Sequence, residues 1–94
     1  MWVFIRGNMV NLKQIFLIRL TLRETTYSGK TKDITIVDTK RVDEIFAKSP
    51  NSVLKIWING VELANYKVKD IPEFYEDWKK VMLAVKLDQL TTDL

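Results

Sequence analysis

The apolar positions of this chain fall into two rhythms. One alternates with polar residues, as in a strand buried on one face; the other recurs every three or four residues, as in a helix lying on a core. Alternation is sharpest where Phe16, Ile18, Leu20 and Leu22 interleave with Leu17, Arg19, Thr21 and Arg23. Both sets are apolar from Ile15 to Ile18, which predicts cover on two sides at that end. Upstream, residues 2–6 read as a short strand, and Gly7-Asn8 as a turn into a second strand, Met9 to Leu12.

Ser28-Gly29 reads as a turn, and Ile34 to Val37 as the strand returning from it. A two-residue turn would set Arg23 opposite Ile34 and Leu22 opposite Thr35. A longer loop over residues 24–32 is the alternative, and the sequence does not choose between them. Asp38 or Thr39 can then cap a short helix, because either side chain accepts from the free amides of a first turn. Val42, Ile45 and Phe46 give that helix its apolar stripe, and Ser49-Pro50-Asn51 ends it.

The clearest hairpin follows. Val53 to Ile58 and Val61 to Val68 flank Asn59-Gly60, a pair suited to the positive φ angles of a type I′ turn. Carried regularly down the ladder, that turn places Ile56 opposite Leu63 and Leu54 opposite Asn65 on a core face. On the other face it places Trp57 opposite Glu62, Lys55 opposite Ala64, and Val53 opposite Tyr66.

Asp70-Ile71-Pro72-Glu73 opens a last helix with a cap, a first-turn proline and a capping-box acid. Ile71, Phe74, Tyr75, Trp78, Met82 and Val85 form one stripe, and Leu83, Leu87 and Leu90 a second. The predicted order is ββ, ββα, ββα in a single domain, residues 1–94. It is an α+β fold with a largely antiparallel sheet of about five to six strands, two helices packed on one face, and an amphipathic C-terminal helix.

Composition removes chemistry rather than adding it. The 94 residues contain no His and no Cys, so disulfides, thiolate or imidazole metal sites and His- or Cys-dependent catalysis are excluded. No cofactor, metal or small-molecule substrate is expected. Ile15 to Ile18 is far short of the ~20 apolar residues of a membrane span, and Arg6-Gly7-Asn8 interrupts the apolar start too soon for a signal peptide. The expectation is therefore a cytoplasmic protein with no membrane contact. The net charge of +3 is uneven. Residues 1–32 hold six bases and one acid, Glu24, whereas residues 33–94 hold nine bases and eleven acids. A polyanion contact would belong to the first third.

Residues 2–12, Trp2-Val3-Phe4-Ile5-Arg6-Gly7-Asn8-Met9-Val10-Asn11-Leu12, resemble the start of many small proteins of Firmicutes and their phages. Those begin with a short apolar strand, a Gly turn and a Val/Ile-Asn-Leu strand; Lys13 stands where an acidic residue commonly follows. The resemblance implies a small, strand-rich accessory protein of a mobile element, and it assigns no site.

Two surfaces emerge as candidates. Arg19, Arg23, Lys30, Lys32, Lys55, Trp57 and Tyr66 would combine cations for phosphates with rings for unpaired bases, a single-stranded nucleic-acid contact. Leu83, Leu87 and Leu90 would dock a protein partner or a second copy. Ser28-Gly29-Lys30-Thr31 echoes the end of a phosphate loop, but Glu24 occupies the first-glycine position, so a polar hairpin tip is the plainer reading. Asp33, Asp38, Glu73 and Asp88 are the acids whose meeting in space would permit a magnesium site. The leading expectation is a non-enzymatic interaction protein binding a host or self protein surface, with single-stranded nucleic-acid binding as the alternative.

Overall fold

In the computed structural model, backbone is described for residues 2–92 and side chains for residues 2–83. The strands are β1 (Trp2–Ile5), β2 (Asn8–Asn11), β3 (Ile18–Thr25), β4 (Thr31–Thr35), β5 (Val53–Ile58) and β6 (Val61–Tyr66). Helix α1 (Lys40–Lys48) lies between β4 and β5, and α2 (Ile71–Thr92) follows β6. Every ladder is antiparallel: β1 and β2 form one sheet, and the other runs β4-β3-β5-β6. The fold is α+β in the expected element order, with the strands divided between two sheets and α2 packed on the sheet.

The structure departs from the sequence reading at the first hairpin turn and just before β3, and it fixes the loop between β3 and β4 that the sequence left open. The first hairpin turns at Arg6-Gly7, one residue early, with φ of 45° and 85° respectively, so that Ile5 opposes Asn8. Positive φ at both central residues is what a two-residue type I′ hairpin turn requires. The β3–β4 loop is longer than two residues but shorter than residues 24–32: Glu24 opposes Lys32, Thr25 opposes Thr31, and the Thr26 amide donates to the Lys30 carbonyl at 2.9 Å. Leu22 thus faces Ile34, and Arg23 faces Asp33. Phe16 and Leu17 precede β3 and are exposed, so the two-sided cover expected there is absent. Their amides both donate to Asn59 Oδ1, at 2.8 and 3.1 Å, which orders this segment by polar contacts instead.

The β5–β6 register changes part way along. Ile58 opposes Val61 and Trp57 opposes Glu62, as a regular ladder from Asn59-Gly60 requires. Beyond that point Ile56 opposes Ala64 and Leu54 opposes Tyr66, so Leu63 is the extra residue of a β-bulge. One inserted residue exchanges the faces of all that follow. Tyr66, expected beside Lys55 and Trp57, is therefore turned into the core and fully buried.

One core is filled from all sides. Leu20, Leu22, Leu54, Ile56, Ala64 and Tyr66 form the inner face of the larger sheet. Val42, Ile45 and Phe46 meet it from α1, and Ile71, Phe74 and Val81 from α2. Ile5 and Val10 seal it from the N-terminal hairpin. At the start of α1 it is Asp38 that caps, accepting from the Lys40 amide at 3.0 Å, while Thr39 makes no side-chain cap. The Tyr75 hydroxyl donates to Asp43 Oδ2 at 3.1 Å and ties α2 to α1.

Tyr66 joins the remaining parts. Its hydroxyl donates to the buried Asp77 of α2 at 2.8 Å, and its ring meets Phe74 edge-on at 5.3 Å. Arg6 lies over the other side, 4.8 Å from the ring centroid, and bridges to Asp70 at 3.3 Å and Glu73 at 2.9 Å. These contacts hold the hairpin turn against the first turns of α2.

Burial, with the bond to Asp77, raises the Tyr66 ionisation far above its ordinary 10. The folded state thus favours the neutral phenol. Its contribution is complete below pH ~10 and is lost as pH rises beyond that value. Urea unfolding should show stability falling above pH ~10, by less in Tyr66→Phe. At neutral pH the same variant should lose about 1–3 kcal/mol, because a buried carboxylate loses its donor. Leu54→Ala, which empties a fully buried position, should lose about 2–5 kcal/mol in the same measurement.

Candidate functional site

Both helices and the N-terminal hairpin lie on the inner face of the larger sheet. The outer face is uncovered among the described residues. Strand alternation brings Arg19, Thr21 and Arg23 of β3 to this face, between Asp33 and Thr35 of β4 and Lys55 and Trp57 of β5. These side chains line a concavity of about 340 Å³. Trp57 anchors it: the half-buried indole donates from Nε1 to Thr21 Oγ1 at 2.7 Å. The Arg19 guanidinium lies 5.2 Å from the indole centroid, within cation–π range, and Lys55 Nζ lies 5.9 Å away.

Charge on this face is largely neutralised from within. Arg23 holds Asp33 with two hydrogen bonds, Nε to Oδ1 at 2.9 Å and Nη2 to Oδ2 at 3.4 Å. That donor keeps the Asp33 carboxyl below its ordinary range and raises Arg23 in turn. Lys55 bridges Glu62 at 2.9 Å. Among the described residues, Arg19 is the one cation of this face with no carboxylate partner.

The predicted nucleic-acid residues are thus only partly united. Arg19, Arg23, Lys55 and Trp57 share the outer face. Tyr66 is excluded by the bulge. Lys32 opposes Glu24, on the side of the sheet that carries Leu22, and Lys30 ends the hairpin loop beyond the strands. Sequence reasoning missed the two carboxylates. The turn at Asn59-Gly60 did set Glu62 across from Trp57 and diagonal to Lys55, a legible signal, but Asp33 meets Arg23 only with the longer β3–β4 loop. No helix follows Ser28-Gly29-Lys30-Thr31; the segment is a hairpin loop and the first residue of β4. Asp33, Asp38 and Glu73 lie in three separate places, beside Arg23, at the start of α1 and beside Arg6. The Asp88 side chain lies outside the described residues.

The predicted leucine stripe is described only at its start. Leu83 is exposed, and the Leu87 and Leu90 side chains lie outside the described residues. A different apolar surface is on view at the N-terminus. In the two-stranded sheet Val3, Ile5 and Val10 face inward, while Trp2, Phe4 and Met9 share the outward face at 60%, 55% and 61% exposure. The pattern of residues 2–12 predicts a plain strand pair, although Trp2-Val3-Phe4-Ile5 is apolar on both faces. One apolar face suffices for packing, so the second was the available signal.

No helix among the described residues is long and apolar enough to cross a membrane. Comparison with protein-family models, curated proteins and solved structures finds no match to this chain.

A carboxylate with a lowered pKa stabilises the fold above its unfolded value, and that contribution is lost as pH falls through the folded one. For Asp33 the loss therefore belongs below its ordinary 3.8. In a carboxyl-carbon NMR titration Asp33 should show a midpoint under 3.8, returning toward it in Arg23→Gln. An unchanged midpoint in that variant would show that Arg23 is not the cause.

Proposed function

We propose that this chain is a non-enzymatic interaction protein that binds another protein through the outer face of its N-terminal hairpin. The observation that carries this reading is the exposure of Trp2, Phe4 and Met9 on one face of a two-stranded sheet whose other face already fills the core. Large apolar side chains grouped in this way mark interaction surfaces, whereas scattered ones do not. Burying each fully is worth ~1.5–3 kcal/mol, enough for three to supply the centre of an interface. Leu83 offers a further apolar contact on α2. Membership of mobile-element accessory proteins rests on the likeness of residues 2–12 and belongs to the same proposal.

Single-stranded nucleic-acid binding is the second reading, favoured by the stacking of Arg19 on Trp57 in an open concavity. It has less support, because Asp33 and Glu62 occupy the two other cations and would repel phosphate.

Quantitative affinity capture with the wild type and with Trp2→Ser/Phe4→Ser separates these readings. Specific capture of a protein should fall about tenfold in the variant, the loss of ~1.4 kcal/mol. Equal capture by both forms would sink the hairpin-face reading. Salt-sensitive oligonucleotide binding that disappears in Trp57→Ala/Arg19→Ala would establish the second reading in its place.

A further inference from the structure

The N-terminal hairpin lies between α2 and β6, with a different edge turned to each. On the α2 side, Lys80 Nζ donates to the Phe4 carbonyl of β1 at 3.4 Å. On the β6 side, Asn8 Nδ2 of β2 donates to the Leu63 carbonyl, within the bulge, at 3.1 Å. No backbone hydrogen bond joins β2 to β6 among the described residues, since β2 pairs only with β1 and β6 only with β5. Residues 9–11 of β2 and 61–63 of β6, each at an edge of its own sheet, line a groove of about 250 Å³.

The lining of the groove restricts what can occupy it. Trp2, Met9, Val61 and Leu63 supply apolar walls, and Asn11 and Gln14 bring side-chain amides. Glu62, bridged to Lys55, is the one charged residue that lines it, so the groove presents no cation to a phosphate or an acidic segment. An unpaired strand edge needs backbone partners that run alongside it, and an extended segment supplies them. A second copy of this chain is a poor donor of such a strand. Beyond the edges already placed, its remaining free edge in the larger sheet is β4, whose centre is Lys32-Asp33.

We propose that this groove receives an extended, uncharged or basic peptide segment of the partner protein, laid as a strand along β2 and β6 with an apolar side chain between Met9 and Val61. The inference rests on the protein-binding reading above and specifies the form of the partner. Main-chain bonds to the two edges supply affinity, and the apolar walls select alternate side chains.

The test uses the full chain and a displayed library of random peptides of about nine residues, longer than a typical strand. Selected peptides are resynthesised, and their binding is followed by fluorescence anisotropy and amide hydrogen exchange. Selected sequences should alternate apolar residues and protect amides within residues 9–11 and 61–63. Methylating alternate peptide nitrogens should weaken binding at least about tenfold, as should Val61→Lys, whose site is 68% exposed and open to substitution. Phe4→Ser does not line the groove and should leave peptide affinity within about twofold. Thermal unfolding checks that both variants remain folded. Tolerance of methylated nitrogens, protection elsewhere, or no peptide binding overturns the groove. Each of those results leaves the hairpin-face reading standing, because that reading falls only if Trp2→Ser/Phe4→Ser leaves protein capture unchanged.

Discussion

The hydrogen bond from Tyr66 to Asp77 is the contact on which the other arrangements depend. A buried carboxylate is costly without a donor, and a buried phenol is costly without an acceptor. Each makes the position of the other acceptable. Because Tyr66 ends β6 and Asp77 lies on the second turn of α2, their bond sets how the helix crosses the sheet. Arg6 then packs over the Tyr66 ring and pairs with Asp70 and Glu73 at the start of α2, which places the N-terminal hairpin. Three elements distant in the chain are fixed through one aromatic ring.

That ring reaches the core because of the bulge at Leu63. A regular ladder would point Tyr66 away from α2 and leave Asp77 buried with no phenol. At the sheet edge the carbonyl of the same extra residue accepts from the Asn8 side chain, which ties the N-terminal hairpin to β6.

The two exposed faces of the molecule contrast in kind. On the outer face of the larger sheet, cations, carboxylates and an indole satisfy one another, so a ligand there must displace existing ion pairs. On the outer face of the small sheet, Trp2, Phe4 and Met9 are each more than half exposed. A partner gains by covering the second surface and must compete on the first. The functional reading follows from that difference.

Much of the architecture was legible from local pattern. Asn59-Gly60 located its turn, Val42, Ile45 and Phe46 located α1, and Asp70-Ile71-Pro72-Glu73 located the start of α2, because each depends on neighbours within a few residues. The β-bulge was not legible: adding a residue to β6 costs little locally, and the distant Asp77 decides whether it is favoured. The pairing of Arg23 with Asp33 was likewise hidden, since Ser28-Gly29 accommodates either loop length. For the candidate surfaces, sequence supplied the residue types and their strand faces up to the bulge. Tertiary structure removed Tyr66, neutralised Arg23 and Lys55, and turned the aromatic face of the N-terminal hairpin to solvent. What sequence determined about this protein is therefore its order of elements and the chemistry it lacks, both set by composition and short-range spacing. Which apolar face became core and which stayed outside was decided only when the three distant parts met around Tyr66, because burial belongs to the assembled packing and not to any one segment.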